Sequence, residues 1–232
     1  MQEKGLALFD IDGTIYDGYL TAPLIEAQAE DGLVELRFVD AVFQARDKFK
    51  KENYKYEDAV YELLTIWAEG LKGQKYSRVL AHALEFVPTE KERFFPGMID
   101  LIASLEDEYD RHIITGEPQF VGESVKSYFQ MSGYAASIFG VKNGILTGEV
   151  EKFIASGQDK LRQALKIAKN YNLARSLGFG DSEADLDMLS LVECPMCVRP
   201  TVILEEYAKK SGWRIYYPGE PSVELKFAGV LE

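Results

Sequence analysis

The stretch Leu6-Ala7-Leu8-Phe9-Asp10-Ile11-Asp12-Gly13-Thr14 decides the fold. A short apolar run that stops abruptly at a polar turn reads as a buried strand, with two carboxylates delivered at its carboxyl end. In extended backbone residues i and i+2 point the same way, so Asp10 and Asp12 converge on one site. Gly13 frees the backbone to turn, and Thr14 adds a hydroxyl. A calcium loop is the competing reading. It wants glycine at its sixth position and glutamate at its twelfth, where Ile15 and Thr21 stand.

Working outward, residues 19–87 carry no convincing strand. Apolar residues recur there at helical spacing, as in Phe38, Val42 and Phe49, then Tyr56, Val60, Leu63, Leu64 and Trp67. Three or four helices are expected, with a break at Glu69-Gly70 and Lys72-Gly73. After Phe95 the texture changes to strand and helix in alternation. Pro96-Gly97 opens a helix, residues 111–114 form a strand ending at Thr115-Gly116, and Pro118 starts a helix to about Met131. Residues 137–141 and 146–150 flank Asn143-Gly144, which predicts a hairpin. Helix 158–170, strand 176–180 ending at Asp181, helix 183–191, strand 196–198, helix 202–210 and strand 213–216 follow. Such alternation means a parallel sheet covered on both faces, with ligands outside the carboxyl ends of the strands. Asp10, Thr115 and Asp181 therefore share one rim.

The chain has 232 residues, about one and a half domains at ~150 residues each. Apolar residues at 47% and charged residues at 28% place it among globular proteins. With 26 basic and 38 acidic residues the net charge is -12, which repels nucleic-acid backbones and anionic lipid. A small phosphorylated ligand stays possible, because a bound cation and local amides reverse the field. No apolar run approaches a membrane span, and Asp10 arrives too early for a signal peptide, so a cytoplasmic protein is expected. Cys194 and Cys197 form a bare Cys-x-x-Cys pattern that lacks a second ligand pair for zinc and overlaps a strand, so both read as structural cysteines.

A second acidic cluster is Gly180-Asp181-Ser182-Glu183-Ala184-Asp185. An N-cap with acidic first-turn residues accounts for Ser182 and Glu183. It accounts less well for Asp185, which on a helix starting here faces the same way as Asp181. With Asp10 nearby, an oxygen-rich magnesium site is the better reading.

Together, Asp10-Ile11-Asp12-Gly13-Thr14, Ile113-Ile114-Thr115-Gly116 and Gly180-Asp181-Ser182-Glu183-Ala184-Asp185 resemble the motifs of the haloacid dehalogenase superfamily. The helical insertion after the first motif, Gly144-Ile145-Leu146-Thr147-Gly148, and Pro195-Met196-Cys197-Val198-Arg199-Pro200 leading to Gly212-Trp213 resemble its phosphoserine phosphatase-like branch. The resemblance implies an α/β fold: a three-layer Rossmannoid core from residues 1–16 and 90–232, a helical cap from 17–89, and a small β-hairpin. It also implies a magnesium-dependent phosphatase acting on a small phosphorylated metabolite. Asp10 would be the nucleophile and Asp12 the general acid and base. Mg2+ would bind Asp10, the Asp12 carbonyl and Asp181, with Asp185 as a ligand or behind one. Thr115 and the amide of Gly116 would hold the phosphoryl oxygens.

Three positions depart from the family. The lysine that steadies nucleophile and phosphate is expected near Gly157 or Gln158, whereas Lys160 stands two or three residues on and Lys152 is a weaker substitute. That displacement motivates a rival reading, a phospho-ligand binder with little turnover. Phosphoserine phosphatases place a glutamate nine residues after the nucleophile and an arginine in the cap; here those places hold Tyr19 and, near the second, Leu63. Phosphoserine is therefore expected to be a poor substrate beside a less zwitterionic ligand, one that a cap aromatic (Phe38, Phe43, Phe49, Tyr54, Tyr56, Tyr61 or Trp67) would stack on. A phosphoserine phosphatase proper and a phosphotransferase or phosphomutase remain the alternatives within the superfamily.

Overall fold

The computed structural model describes residues 4–51 and 55–219. The ring positions of Phe49, Tyr54 and Tyr56 lie outside the described residues. Strand β1, Gly5–Phe9, is completely buried, and its alternate side chains feed two cores. Ala7 and Phe9 join one apolar cluster, and Leu6 and Leu8 join the other. This is why its sequence shows no alternation: both faces of the strand are covered.

Around β1 lies a seven-stranded sheet. Its further strands are β2 (Tyr109–Pro118), β3 (Gly133–Lys142), β4 (Ile145–Lys152), β5 (Ser176–Gly180), β6 (Cys194–Val198) and β7 (Arg214–Tyr216), in the order β4-β3-β2-β1-β5-β6-β7. All neighbours are parallel except β3 and β4, joined by the hairpin at Asn143-Gly144, where both residues have positive φ. The strand predicted to end at Thr115-Gly116 runs on to Pro118, with a register shift between Ile114 and Pro118. That irregularity re-aims the strand end beside β1.

Helices α1 (Thr21–Glu30), α2 (Leu36–Lys51), α3 (Tyr56–Gly70) and α4 (Tyr76–Phe86) form the inserted helical layer. On the same side of the sheet, α5 (Pro96–Ser104) and α6 (Gln119–Tyr128) contribute Met98, Leu101, Phe120 and Val125 to the first core. The opposite core is closed by α7 (Gly157–Ala168), α8 (Leu186–Leu189) and α9 (Val202–Ser211) through Ala164, Met188, Leu189, Leu204 and Ala208. The helix expected over 183–191 is broken. A 3₁₀ turn, Glu183–Asp185, precedes a four-residue α8, because Asp185 folds back to cap the turn rather than extending along a helix face. Cys194 and Cys197 lie three apart on β6, which turns them to opposite faces and into different cores. Facing apart, the two side chains are not placed to share a disulfide or a metal ion, and burial, then the Asp185 charge, pushes the Cys197 thiol up to about 12.

The helical layer is fastened to the sheet at the hairpin. The amides of Gly73 and Tyr76 donate to the carbonyls of Leu146 and Gly144, both at 2.9 Å, and the Leu146 amide returns a 2.9 Å bond to Gln74.

Candidate active site

Phe9 pairs with Ile113 on β2 and with Phe179 on β5, and its ring stacks on that of Phe179 at 4.4 Å. The next residues of all three strands thus emerge side by side at the switch point of the sheet. Asp10 is anchored there by its amide, which donates to the Phe179 carbonyl at 3.0 Å. The chain then winds into a tight loop in which the amides of Thr14, Ile15 and Tyr16 all turn back to the Ile11 carbonyl. Gly13 has φ +72, and a Cβ there would collide with the Asp181 carboxylate, so only glycine lets the two motifs close on each other.

Lys160 is 5% exposed, and its Nζ donates to Asp10 Oδ1 at 2.8 Å and to Asp185 Oδ1 at 2.6 Å. The displacement read from the sequence is closed by side-chain direction. Ser156 and Asp159 form a capping box that starts α7 at Gly157, and a helical side chain points back toward the amino end, so Lys160 reaches the rim from the fourth position. Lys152, in β4, is absent from the cavity wall described below.

Asp185 is fully buried, with Oδ2 accepting from the amides of Asp181 and Ser182, both at 3.1 Å, and from the Ser182 hydroxyl at 3.2 Å. Its Cβ lies where one on Gly180 would have to go, so that glycine too admits the approach. Thr115 is fully buried and its Oγ1 accepts the Glu117 amide at 3.1 Å, while Gly116 lines the cavity. The Thr14 hydroxyl, by contrast, is buried with no partner among the described residues.

Sequence reasoning missed Glu117. It is 3% exposed, and its Oε1 accepts from the Thr21 amide at 3.0 Å and the Thr21 hydroxyl at 2.6 Å, tying β2 to the first turn of α1. Its other oxygen is buried with no hydrogen-bond partner among the described residues, and burial raises both Glu117 and the neighbouring Asp12, each carboxyl adding to the crowding at this point. Asp12 Oδ1 accepts the Leu20 amide at 2.9 Å. The available signal was an acidic residue directly after a strand-end Thr-Gly.

The electrostatics follow from crowding carboxylates in a dry rim. Burial pushes Asp10 up to about 7 against the lowering effect of Lys160. Burial and then Glu117 hold Asp12 well above the usual carboxylate range. Asp181 is raised likewise, by burial and then by Asp185. Asp10, Asp181 and Asp185 each bring one oxygen within 4.8 Å of the others. The oxygens of Asp185 are already engaged, which leaves Asp10 and Asp181 as the donors facing a cation. Hard oxygens in negative excess over one lysine suit magnesium.

Above this rim opens a cavity of about 880 Å³ between the strand ends and the helical layer. Asp10, Asp12, Lys160 and Asp181 line one end, and Tyr19 and Leu63 both border it. No helix among the described residues is long and apolar enough to cross a membrane.

The sequence profile of the haloacid dehalogenase-like hydrolases matches residues 7–190. A phosphoserine phosphatase of Mycobacterium tuberculosis is 24% identical over 223 residues, covering 90% of this chain and 69% of that protein. Among solved structures, a protein of unknown function from Bordetella pertussis superposes with a TM-score of 0.76 at 19% identity, covering 93% of this chain and 99% of the other. A substrate-bound phosphoserine phosphatase superposes at 0.63 and 21% identity, covering 93% and 94%. With three motifs on adjoining strand ends, a profile match over most of its length and a fold like that of solved phosphoserine phosphatases, the chain belongs to the haloacid dehalogenase-like hydrolases.

Proposed function

We propose that the chain is a magnesium-dependent phosphatase that hydrolyses a small phosphomonoester through a phosphorylated Asp10. The observation that best supports this is the Lys160 ammonium held between Asp10 and Asp185 at the inner end of the cavity. It fixes Oδ1 of Asp10 and leaves Oδ2 for attack on phosphorus. Asp12, holding its proton against Glu117, donates it to the departing alcohol oxygen and then, as carboxylate, takes a proton from the attacking water. Thr115 and the Gly116 amide hold phosphoryl oxygens, and Asp185 positions Lys160 and the Asp181 loop. Asp10, the Asp12 carbonyl and Asp181 would hold the magnesium ion, with Asp185 behind them. When bound, the ion supplies positive charge where an anionic nucleophile meets an anionic phosphate. Residues 17–89 act as a cap that excludes water and selects the leaving group.

The test is p-nitrophenyl phosphate turnover with and without metal. Activity is lost in EDTA and restored by excess magnesium; full activity after exhaustive chelation rejects the metal assignment. The proton role of Asp12 is checked separately. Asp12→Asn lowers kcat by about 10²–10⁴-fold for an alkyl phosphate and by less for p-nitrophenyl phosphate, whose leaving group needs no proton. Equal losses on both substrates would remove Asp12 from that role. The reading of a binder without turnover loses its motive once Lys160 reaches Asp10. A phosphotransferase would use the same groups with an alcohol in place of water.

A further inference from the structure

We propose that the leaving group fitted by this cavity is a medium-length aliphatic alcohol, so that the preferred substrates are alkyl phosphomonoesters. The inference rests on the phosphatase reading above and deepens it. The chemistry occupies one end of the 880 Å³ space. Phosphoserine has eleven heavy atoms. Even at one water's share of liquid volume each, about 30 Å³, it would take up about 330 Å³, well under half. The remainder faces a wall of Ala22, Val42, Ala59, Val60, Leu63 and Leu64, contributed by α1, α2 and α3. Val42 and Leu64 are packed into the core behind it, and a ligand of phosphoserine's size leaves the half-buried Ala22, Val60 and Leu63 wet, whereas a hydrocarbon chain covers them.

Charge in the cavity singles out no polar or zwitterionic leaving group. Glu117, which lines the cavity beside Asp12, is engaged by the Thr21 amide and hydroxyl. Beyond the apolar wall stand Arg46, Lys55 and Glu57. Arg46 is paired with Asp47 at 3.0 Å, and with Glu183 also on the wall the lining carries charges of both signs outside the reacting groups.

Among the described rings two line the cavity, Phe43 and Tyr19, the latter half-exposed beside Asp181 and Asp12. Phe43 lines the cavity, yet the Arg46 guanidinium covers one face of its ring at 4.7 Å. Trp67 is fully buried with its indole N–H on Gln28, and Tyr61 packs edge-on against Phe153. Along the wall the aliphatic side chains outnumber Phe43 and Tyr19 and make up most of the contact surface.

The experiment measures kcat/KM for n-alkyl phosphates from ethyl to octyl, each below its micellar concentration, with phosphoserine alongside. A buried methylene is worth about 0.8 kcal/mol, or about fourfold, so the series should climb by at least about a hundredfold, with phosphoserine near the bottom. Leu63→Gln should flatten the climb. A flat or falling series in the wild type, or phosphoserine ahead of octyl phosphate, overturns the proposal while leaving the phosphatase reading intact. If no ester is turned over at all, that reading fails instead. Calorimetric affinities of the matching alkylphosphonates then decide the pocket alone: tighter binding with length supports it, and constant or absent binding overturns it.

Discussion

Asp10→Asn abolishes turnover: kcat/KM for p-nitrophenyl phosphate falls by about 10⁴-fold or more, the scale seen when a covalent nucleophile is removed. The amide cannot form the phosphorylated intermediate and is a poorer ligand for a cation shared with Asp181. Folding should survive, and the sign of the effect follows from the site. In the metal-free protein burial raises Asp10 to about 7, above its unfolded value. A group raised in this way contributes stability that is fully present below the unfolded value and is lost as pH climbs through about 7. Asparagine carries no such charge, so the metal-free variant melts no lower than wild type at pH 8. Retention of even a tenth of the activity would show that Asp10 is not the nucleophile. A collapsed melting temperature would show that its charge is structural.

Lys160→Met has the second large effect, and it is double. Turnover drops by about 10²–10³-fold, because a positioned cation no longer faces Asp10 and the phosphate. Stability at pH 8 drops by about 3–5 kcal/mol, since two buried carboxylates lose their shared partner. The lysine lowers Asp10, so without it the carboxyl titrates higher still. The deficit relative to wild type is therefore largest above about pH 7 and shrinks as acid protonates Asp10. Urea titrations at pH 5 and pH 8 check this, and equal deficits at both would refute the coupling.

How much of this was legible in the sequence depends on the distance over which each residue acts. Asp10, Asp12 and Asp181 were readable because a buried strand that stops at a polar residue is a local pattern, and three such stops, at Asp10, Thr115 and Asp181, define a rim. Lys160 was placed too far along because counting residues gives axial rise but not the backward lean of a helical side chain. Asp185 read as one helical turn beyond Asp181, yet its carboxylate bends back to cap Asp181 and Ser182, a choice made by local hydrogen bonds. Glu117 was invisible because a lone acidic residue looks solvated until α1 folds over it. The aliphatic wall of the cavity has the same cause: Val42, Val60 and Leu63 look like ordinary helix packing until the layer leaves them beside the strand ends.

The three amide bonds between the α3–α4 turn and the hairpin bear on how the molecule can breathe. Two further chain crossings join the layer to the sheet near Asp17 and Phe95, where the Asp17 amide bonds the Arg93 carbonyl and the Phe95 amide bonds Ile15. Fastened at the hairpin as well as at this pair of strands, the layer cannot lift away like a lid hung on one strap. Either the β3–β4 loop rides with it as a single rigid piece, or the Gly73, Tyr76 and Leu146 amides are surrendered to water each time the active site opens. In the first case the fulcrum is shared between the crossings and the sheet edge. Passage of a reactant is then governed by a tilt about that shared fulcrum rather than by the swing of a single hinge.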